Sequence, residues 1–456
     1  MAKRLSLRIS GGDWSKLRSL LFTPDGLENA TALLCGQSLN ESEDKLLVRE
    51  IVAASPKQYV ERQSYHLEVA PGFYNSLVDR CLRDGLVPVI CHSHPFDGPA
   101  DYSPSDDFGE KRLLPILESL LPERKPASLL LTKTSVAGRI LDGRSFRSLD
   151  NVTITGPRVR TLPVVSAWGA HSSETNVFDR QIRAFGAEGQ RTIESLTVAI
   201  VGLGGIGSLV AEQLARAGVG NLILVDFDVV ESSNLNRLFG ATSGSLGQPK
   251  AKVVGSYLSS IRPLNVELVC DSALKQSVLK RLRAADLILG CVDTDLARIV
   301  LTRFAHQYLT PLIDMGIRLD ARKGAVTAAA GRVSVVGPDG TCLRCSHHIN
   351  SERVRAESLP PAERQALVRE GYIIGIDEAA PAVVTLNCTI AGLGATAALN
   401  LFVNLTGNFQ PVNQLYDAAS GIVFTATAVH EPGCDICDNE QGVKALGDLQ
   451  VVSAYD

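Results

Sequence analysis

Between Leu196 and Asp226 the chain reads strand, glycine turn, helix, strand, and no other stretch limits its possible folds as tightly. Leu196-Thr-Val-Ala-Ile-Val201 is near-continuously apolar, and Gly202-Leu-Gly204-Gly205-Ile-Gly207 comes at once after it. Glycines there let the backbone approach phosphate groups, and a helix predicted from about Ser208 to Ala217 offers N–H donors at its start. Asn221–Asp226 returns as a strand that ends on a carboxylate placed to accept from a ribose hydroxyl. Further strands predicted at Asp286–Gly290 and Thr310–Asp314 make the second half α/β, a Rossmann-like doubly wound parallel sheet. On the glycines and Asp226 alone, an NAD-dependent dehydrogenase fits.

The segments around this unit are more specific. Asp226-Phe-Asp228-Val-Val-Glu-Ser-Ser-Asn234-Leu-Asn-Arg237 is succeeded by Gly247-Gln-Pro-Lys250-Ala and Cys291-Val-Asp293, and Phe178-Asp-Arg180-Gln181 precedes it. Over about 175–430 this order resembles the activating enzymes of ubiquitin-like proteins and their bacterial relatives of the ThiF/MoeB type. The resemblance implies that a C-terminal carboxylate attacks the α-phosphate of ATP, giving an acyl-adenylate and pyrophosphate. Charge growing on the phosphates calls for cations and Mg²⁺ in a preorganised site. It further implies that Gly202, Gly204, Gly205 and Gly207 line the nucleotide, Asp226 holds the ribose, and Asn234 shapes the phosphate pocket. Arg237 and Lys250 would contact phosphates, Asp293 would hold Mg²⁺, and Arg180 would reach the γ-phosphate across a homodimer.

Residues 1–150 read as a separate α/β domain. Strands are predicted at Ala30–Cys35, Leu86–Cys91 and Ala127–Thr132, with an amphipathic helix over Ala70–Leu82. From Leu149 to Ser173 the composition turns to Thr, Pro, Ser and Gly, so 151–173 is read as a linker and 174–456 as the adenylation domain. His92-Ser-His94-Pro leaves the second strand, and Ser103-Pro-Ser-Asp106 comes shortly after. Two imidazoles and one carboxylate leave an open position on zinc, as hydrolytic sites do. A water there needs a base, for which Glu28, just before the first strand, is the leading candidate and Glu41 and Glu43 are rivals. The set resembles the JAMM (JAB/MPN) isopeptidases over roughly residues 25–140, with a His-to-Ser interval one residue longer than the family's commonest spacing. That resemblance implies His92, His94 and Asp106 as ligands of a catalytic Zn²⁺, Glu28 as general acid/base, and Ser103 as a donor to the tetrahedral oxyanion.

Cys342-Leu-Arg-Cys345 and Cys434-Asp-Ile-Cys437 are two knuckles far apart in sequence, the arrangement that closes four thiolates around a structural Zn²⁺. His347 and His348 are read as bystanders. Cys388 matches in position a cysteine that some activating enzymes use for a thioester or persulfide, and a buried core thiol is the alternative. Cys291 reads as core under Asp293, and Cys35, Cys81, Cys91 and Cys270 as ordinary core thiols.

A formal net charge of −4 gives no general attraction to nucleic acid or to an anionic membrane. The apolar run Ala382–Val403 carries Asn387, Asn400 and several Thr and Gly, so it reads as a buried strand and helix rather than a membrane span. Ten cysteines beside an N-terminus without an apolar signal core point to a cytoplasmic, metal-binding protein rather than a disulfide-linked one. The sequence thus predicts a bifunctional enzyme. It would adenylate a ubiquitin-like protein ending in a glycine-rich tail, and hydrolyse precursors or conjugates of such a protein. The alternative is a sulfur-carrier adenylyltransferase of cofactor biosynthesis with an accessory carrier-processing or docking domain. A ubiquitin-conjugating-type enzyme is a further candidate partner.

Overall fold

The computed structural model describes residues 3–164, 176–322, 324–370, 381–407, 413–438 and 440–453. The chain divides into two compact units, Met1–Ser172 with Lys444–Val451, and Ser173–Val443 with Val452–Asp456.

In chain order the first unit contains β1 (Arg4–Ser10), α1 (Gly11–Leu21), β2 (Ala30–Leu39), β3 (Glu43–Ala53), β4 (Tyr59–Arg62), β5 (Leu67–Val69) and α2 (Pro71–Asp84). It continues with β6 (Val87–Ser93), α3 (Pro104–Leu120), β7 (Ala127–Leu131), β8 (Val136–Asp142), β9 (Ser145–Ser148), β10 (Asn151–Thr155) and β11 (Val159–Pro163). Nine strands make one mixed sheet, β11-β10-β1-β3-β2-β6-β7-β8-β9, while β4 and β5 form a separate hairpin. Alternation along β2 supplies both faces. Leu33 and Cys35 pack with Trp14, Leu17 and Leu21 of α1. Ala32 and Leu34 pack with Phe73, Leu77 and Cys81 of α2 and Leu117 of α3. Pro71 opens α2 and Gly85, at φ 74°, closes it, which moves the end of that helix past the predicted Leu82.

The predicted linker is in part sheet. Asn151–Thr155 pairs in parallel with Ser6–Ser10, and Val159–Pro163 folds back on it. Val152 and Ile154 are buried, so a period of two lies beneath the Thr- and Pro-rich composition. Residues 165–173 of that segment lie outside the described residues. The last part of the predicted adenylation domain also differs, since Lys444–Val451 packs with the first unit.

The second unit contains α4 (Asp179–Ser195), β12 (Thr197–Val201), α5 (Gly205–Ala217), β13 (Asn221–Val225), α6 (Lys250–Ile261), β14 (Asn265–Val269), α7 (Gln276–Leu282) and β15 (Leu287–Gly290). After these come α8 (Asp295–Gln307), β16 (Leu312–Arg322), β17 (Ala325–Val336), α9 (Ser351–Glu357), α10 (Pro361–Arg369), α11 (Val384–Val403), β18 (Asn413–Asp417) and β19 (Ile422–Ala426). The sheet order is β14-β13-β12-β15-β16-β17-β18-β19. Its first five strands are parallel and the rest antiparallel. Chain order reverses between β12 and β15, which opens a crevice at their C-terminal ends where α/β proteins bind ligands.

Ala382–Val403 does not divide into strand and helix; Val384–Val403 is one helix. Gly392 and Gly394 lie inside this helix without breaking it, and Ile390, Ala391, Ala395, Ala398 and Leu401 join the core of this unit. Gly394 allows close approach, since a Cβ there would lie 2.1 Å from Met315 Sδ. By length and composition this helix could cross a membrane, and half of its most apolar window is buried within the fold.

Candidate functional site

Three clusters of the predicted residues form, one in the first unit and two in the second. In the first unit, His92 is the penultimate residue of β6 and pairs with Ala30 of β2, which brings the preceding Glu28 alongside. Ser93 points the other way, donating to the Leu21 carbonyl, so His92 and His94 share a face. His92 Nε2 lies 3.3 Å from Asp106 Oδ1, and His94 Nε2 lies 3.5 Å from Asp106 Oδ2 and 3.8 Å from Glu28 Oε1. Ligand atoms of His92, His94 and Asp106 all fall within 4.8 Å of one another. His92 Nε2 is buried without a hydrogen-bond partner. An orphaned imidazole nitrogen facing a second one and a carboxylate is the donor set of an open zinc site, and the residues fit that ion.

Burial pushes the Glu28 carboxyl up, against the opposing pull of His94 and His92. Burial would also raise Asp106, but the nearby imidazoles of His92 and His94 outweigh it and hold this carboxyl well below the usual range. Of the rival bases, Glu43 is engaged by Ser6 and Lys45, and Glu41 is exposed. Ser103 caps α3: its N–H donates to Asp106 Oδ2 at 2.7 Å, and its Oγ accepts from the Asp106 N–H at 3.2 Å. It therefore orients the Asp106 side chain directly.

Sequence reasoning missed the support behind this cluster. Arg139 is stacked between the rings of Tyr102 and Phe146, 3.5 and 3.6 Å from their centroids. It donates to Glu110 at 2.8 Å and to Asp107 at 2.6 Å, both on α3. Glu110 lies four residues after Asp106, on the same helix face, and that spacing was the available signal.

The four knuckle cysteines come together and are buried. Cys342 Sγ and Cys434 Sγ are 3.7 Å apart, and Cys345 Sγ and Cys437 Sγ are 3.6 Å apart. A disulfide needs about 2.05 Å. Thiolates placed tetrahedrally at about 2.3 Å from zinc are about 3.8 Å apart, so the cluster fits a closed zinc site. Asp435, inside the second knuckle, is paired with Arg303 and Arg344. His347 is exposed and His348 half-buried, whereas His430 Nδ1 lies 3.2 Å from Cys437 Sγ.

In the nucleotide crevice, α5 begins at Gly205, three residues before the predicted start. Gly202 has φ 88°, and a Cβ there would lie 2.6 Å from the Cys291 carbonyl oxygen. At Gly207 a Cβ would meet the Gly202 carbonyl at 1.8 Å. The Asp226 carboxylate accepts from the N–H groups of Leu203 at 2.6 Å and Asp228 at 2.8 Å, and burial pushes its pKa up. Lys250 pairs with Asp228 at 2.8 Å. Arg237 donates to the Ser233 carbonyl at 2.5 Å, while the Asn234 side chain accepts from the Glu231 N–H at 3.1 Å. Asp293 is exposed just beyond β15, and Arg180 is exposed in the first turn of α4. Thus the glycines, Asp226, Asn234, Arg237, Lys250 and Asp293 all come from segments that succeed β12, β13 and β15, and Arg180 stands apart from them.

Cys388 is exposed near the start of α11, so the buried core thiol is not what the structure shows. Cys270 is also exposed, against the core reading, because it comes directly after the edge strand β14. Cys291 is half-buried and its thiol is pushed up by burial. Asn387, beside Cys388, belongs to no motif in the sequence, yet it packs on Gly205.

Comparison with known proteins gives one family match: the ThiF family model covers residues 178–436. The SAMP-activating enzyme E1 of Haloferax volcanii is 27% identical over 270 residues, covering 59% of this chain and 90% of that protein. The molybdopterin-synthase adenylyltransferase of Escherichia coli is 30% identical over 265 residues, covering 57% of this chain and 95% of that protein. The sulfur carrier protein adenylyltransferase of Thermus thermophilus is 29% identical over 272 residues, covering 58% and 90% respectively.

Proposed function

The chain belongs to the ThiF family, and on that footing we propose that its second unit uses ATP to adenylate the C-terminus of a small carrier protein. The attacking carboxylate forms a bond to the α-phosphorus while the bond to the bridging oxygen breaks and pyrophosphate leaves. The observation that carries the reading is the glycine turn at the β12/β15 crevice, with Asp226 bonded to its backbone at Leu203. In this reading Gly202, Gly204, Gly205 and Gly207 admit the phosphates to the start of α5, and Asp226 takes the ribose. Arg237 and Lys250 face the phosphates, and Asn234 holds the loop that carries Arg237. Asp293 would hold Mg²⁺, which would supply compensating positive charge. Arg180 acts from a second copy of the chain in a homodimer.

Two relatives act, by their names, on a sulfur carrier protein or for molybdopterin synthase, and these favour a sulfur-carrier substrate. The name of the Haloferax enzyme and the exposure of Cys388 favour the second reading, activation of a ubiquitin-like modifier with onward transfer through a thioester.

For the first unit we propose JAMM-type hydrolysis of the peptide bond beyond the carrier's tail, or of an isopeptide bond to it. Zinc held by His92, His94 and Asp106 would polarise the reacting groups. Glu28, whose Oε1 is 3.8 Å from His94 Nε2, would take a proton from the attacking water and return it to the leaving amine. Ser103, which caps the helix that carries Asp106, would offer its hydroxyl to the oxyanion. The test is pyrophosphate exchange into ATP with a carrier ending in Gly-Gly. Asp293→Ala should abolish exchange and leave hydrolysis of an extended carrier intact; equal loss of both in a folded variant defeats the two-site reading.

A further inference from the structure

Asn387 is 5% exposed on the first turns of α11, and no hydrogen bond reaches its carboxamide from the described residues. Most buried polar groups in native structures have a hydrogen-bond partner, so a largely buried carboxamide with none marks a place that a ligand can complete. Its position says which. A Cβ on Gly205, the first residue of α5, would lie 2.1 Å from Asn387 Nδ2 and 3.3 Å from Arg237 Cδ. The carboxamide thus lies against the start of a 13-residue helix, beside the stem of a cation. That helix has Gly204 at its N-cap and no side chain capping its first N–H groups. Open N–H donors at a helix start, a neighbouring guanidinium and an unpartnered amide converge on one kind of ligand, an oxyanion.

Resting on the adenylation reading, we infer that Asn387 is a nucleotide-contacting residue, donating from Nδ2 to a phosphate oxygen of ATP. Gly205 is required because any side chain would displace this carboxamide. Asn387 also immediately precedes Cys388, so one turn of α11 carries both the phosphate donor and the exposed thiol.

The experiment compares binding of adenosine, AMP and Mg·ATP to the full-length protein and its variants by titration calorimetry. Asn387→Ala should weaken Mg·ATP about tenfold, the size of one hydrogen bond to a charged group, with adenosine unchanged. Asn387→Asp keeps the shape, replaces the donor with a negative charge, and should weaken Mg·ATP further than Ala does, again sparing adenosine. Wild-type and variant proteins that bind Mg·ATP equally overturn the Asn387 assignment and leave the adenylation reading standing. Parallel loss of adenosine and ATP in both variants also overturns it, by making Asn387 a packing residue. A wild-type protein that binds neither AMP nor Mg·ATP defeats the adenylation reading itself.

Discussion

Arg298 donates from Nη2 to the carbonyl oxygen of Val292 at 2.8 Å, and so grips the backbone one residue before Asp293. The guanidinium is itself held, with Nε 3.4 Å from Asp314 Oδ1 and Nη1 3.3 Å from Asp295 Oδ1. Asp314 is fully buried and also paired with Arg332. Removing one member of a buried ion network strands the others, at a cost of about 3–5 kcal/mol. Arg298→Ala should therefore lower the stability of the second unit by about that amount in urea. Arg298→Lys keeps the charge without the fork and should fold, but raise the Mg²⁺ concentration that half-saturates pyrophosphate exchange. Unchanged Mg²⁺ dependence would leave Arg298 with a purely structural role.

The cysteine cluster predicts one tightly held zinc that is independent of hydrolysis. Cys434→Ser should lose one zinc per chain and lower the melting temperature of the second unit, because the closed site ties two distant knuckles together. Carrier hydrolysis by the first unit should persist. Zinc content equal to wild type would refute the assignment.

In the first unit, ligand and base separate cleanly. His92→Ala with His94→Ala should remove the other zinc, whereas Glu28→Gln should retain it and lose hydrolysis by a factor of about 10²–10⁴, the contribution of a general base. A Glu28→Gln protein that hydrolyses normally would return the base role to an unassigned group.

Acid sensitivity should centre on His348. Burial, then the charges of Arg332 and Arg298, push it down to about 4, and its Nε2 has no hydrogen-bond partner. An unfolded histidine titrates near about 6.5. Between those values the unfolded chain takes up a proton that the folded chain refuses. Stability should accordingly fall as pH drops from about 6.5 to about 4, by about 1–2 kcal/mol after allowing for solvent screening at this half-buried site. His348→Gln should flatten that part of the stability–pH curve; a slope identical to wild type would place the acid-sensitive group elsewhere.

Which of these residues the sequence revealed depends on how local their signals are. The glycine turn, the His-Ser-His strand end and the two cysteine pairs are short motifs whose geometry is set by adjacent backbone; their spacing marks the places, and family resemblance is needed to add Glu28, Asp106 and the phosphate-facing cations. Arg298, Asp314 and Asn387 carry no motif; their meaning arises from contacts of α8 with β16 and with the segment after β15, and of α11 with α5, distant in sequence. The strand pair at 151–163 was hidden for a different reason. Its pairing partner is β1, at the other end of the unit, and composition outweighed a period of two over five residues.

The least legible element is Lys444–Val451, which comes after the cysteine site in sequence and yet completes the first unit. β6 pairs with β2 only as far as Cys35, so Gly36–Leu39 would present an unpaired edge. The tail fills it. Gly447 bridges Gln37 in parallel, the Asp448 N–H donates to the Gln37 carbonyl at 2.6 Å, and the Leu39 N–H donates to Asp448 Oδ2 at 2.8 Å. Gly36 is glycine because a Cβ there would lie 2.1 Å from the Ala445 carbonyl oxygen. Lys444 is buried, with its ammonium 2.8 Å from Asp13 and its carbonyl accepting from Arg49 at 2.6 Å. Truncation after Val443 should expose the edge, leave Asp13 without this partner, and destabilise the first unit by about 3 kcal/mol or more. Gly36→Ala, which keeps the full chain, should reproduce part of that loss by displacing the tail. Amide exchange of Gln37 and Leu39, whose backbone groups face the tail, reads the effect directly: protection in wild type should be lost in both variants, while Gly36 and Ser38, which face β3, keep theirs and the cysteine-bound zinc stays in place. Unaltered protection of Gln37 and Leu39 in the truncated chain would show that β2 holds its edge unaided.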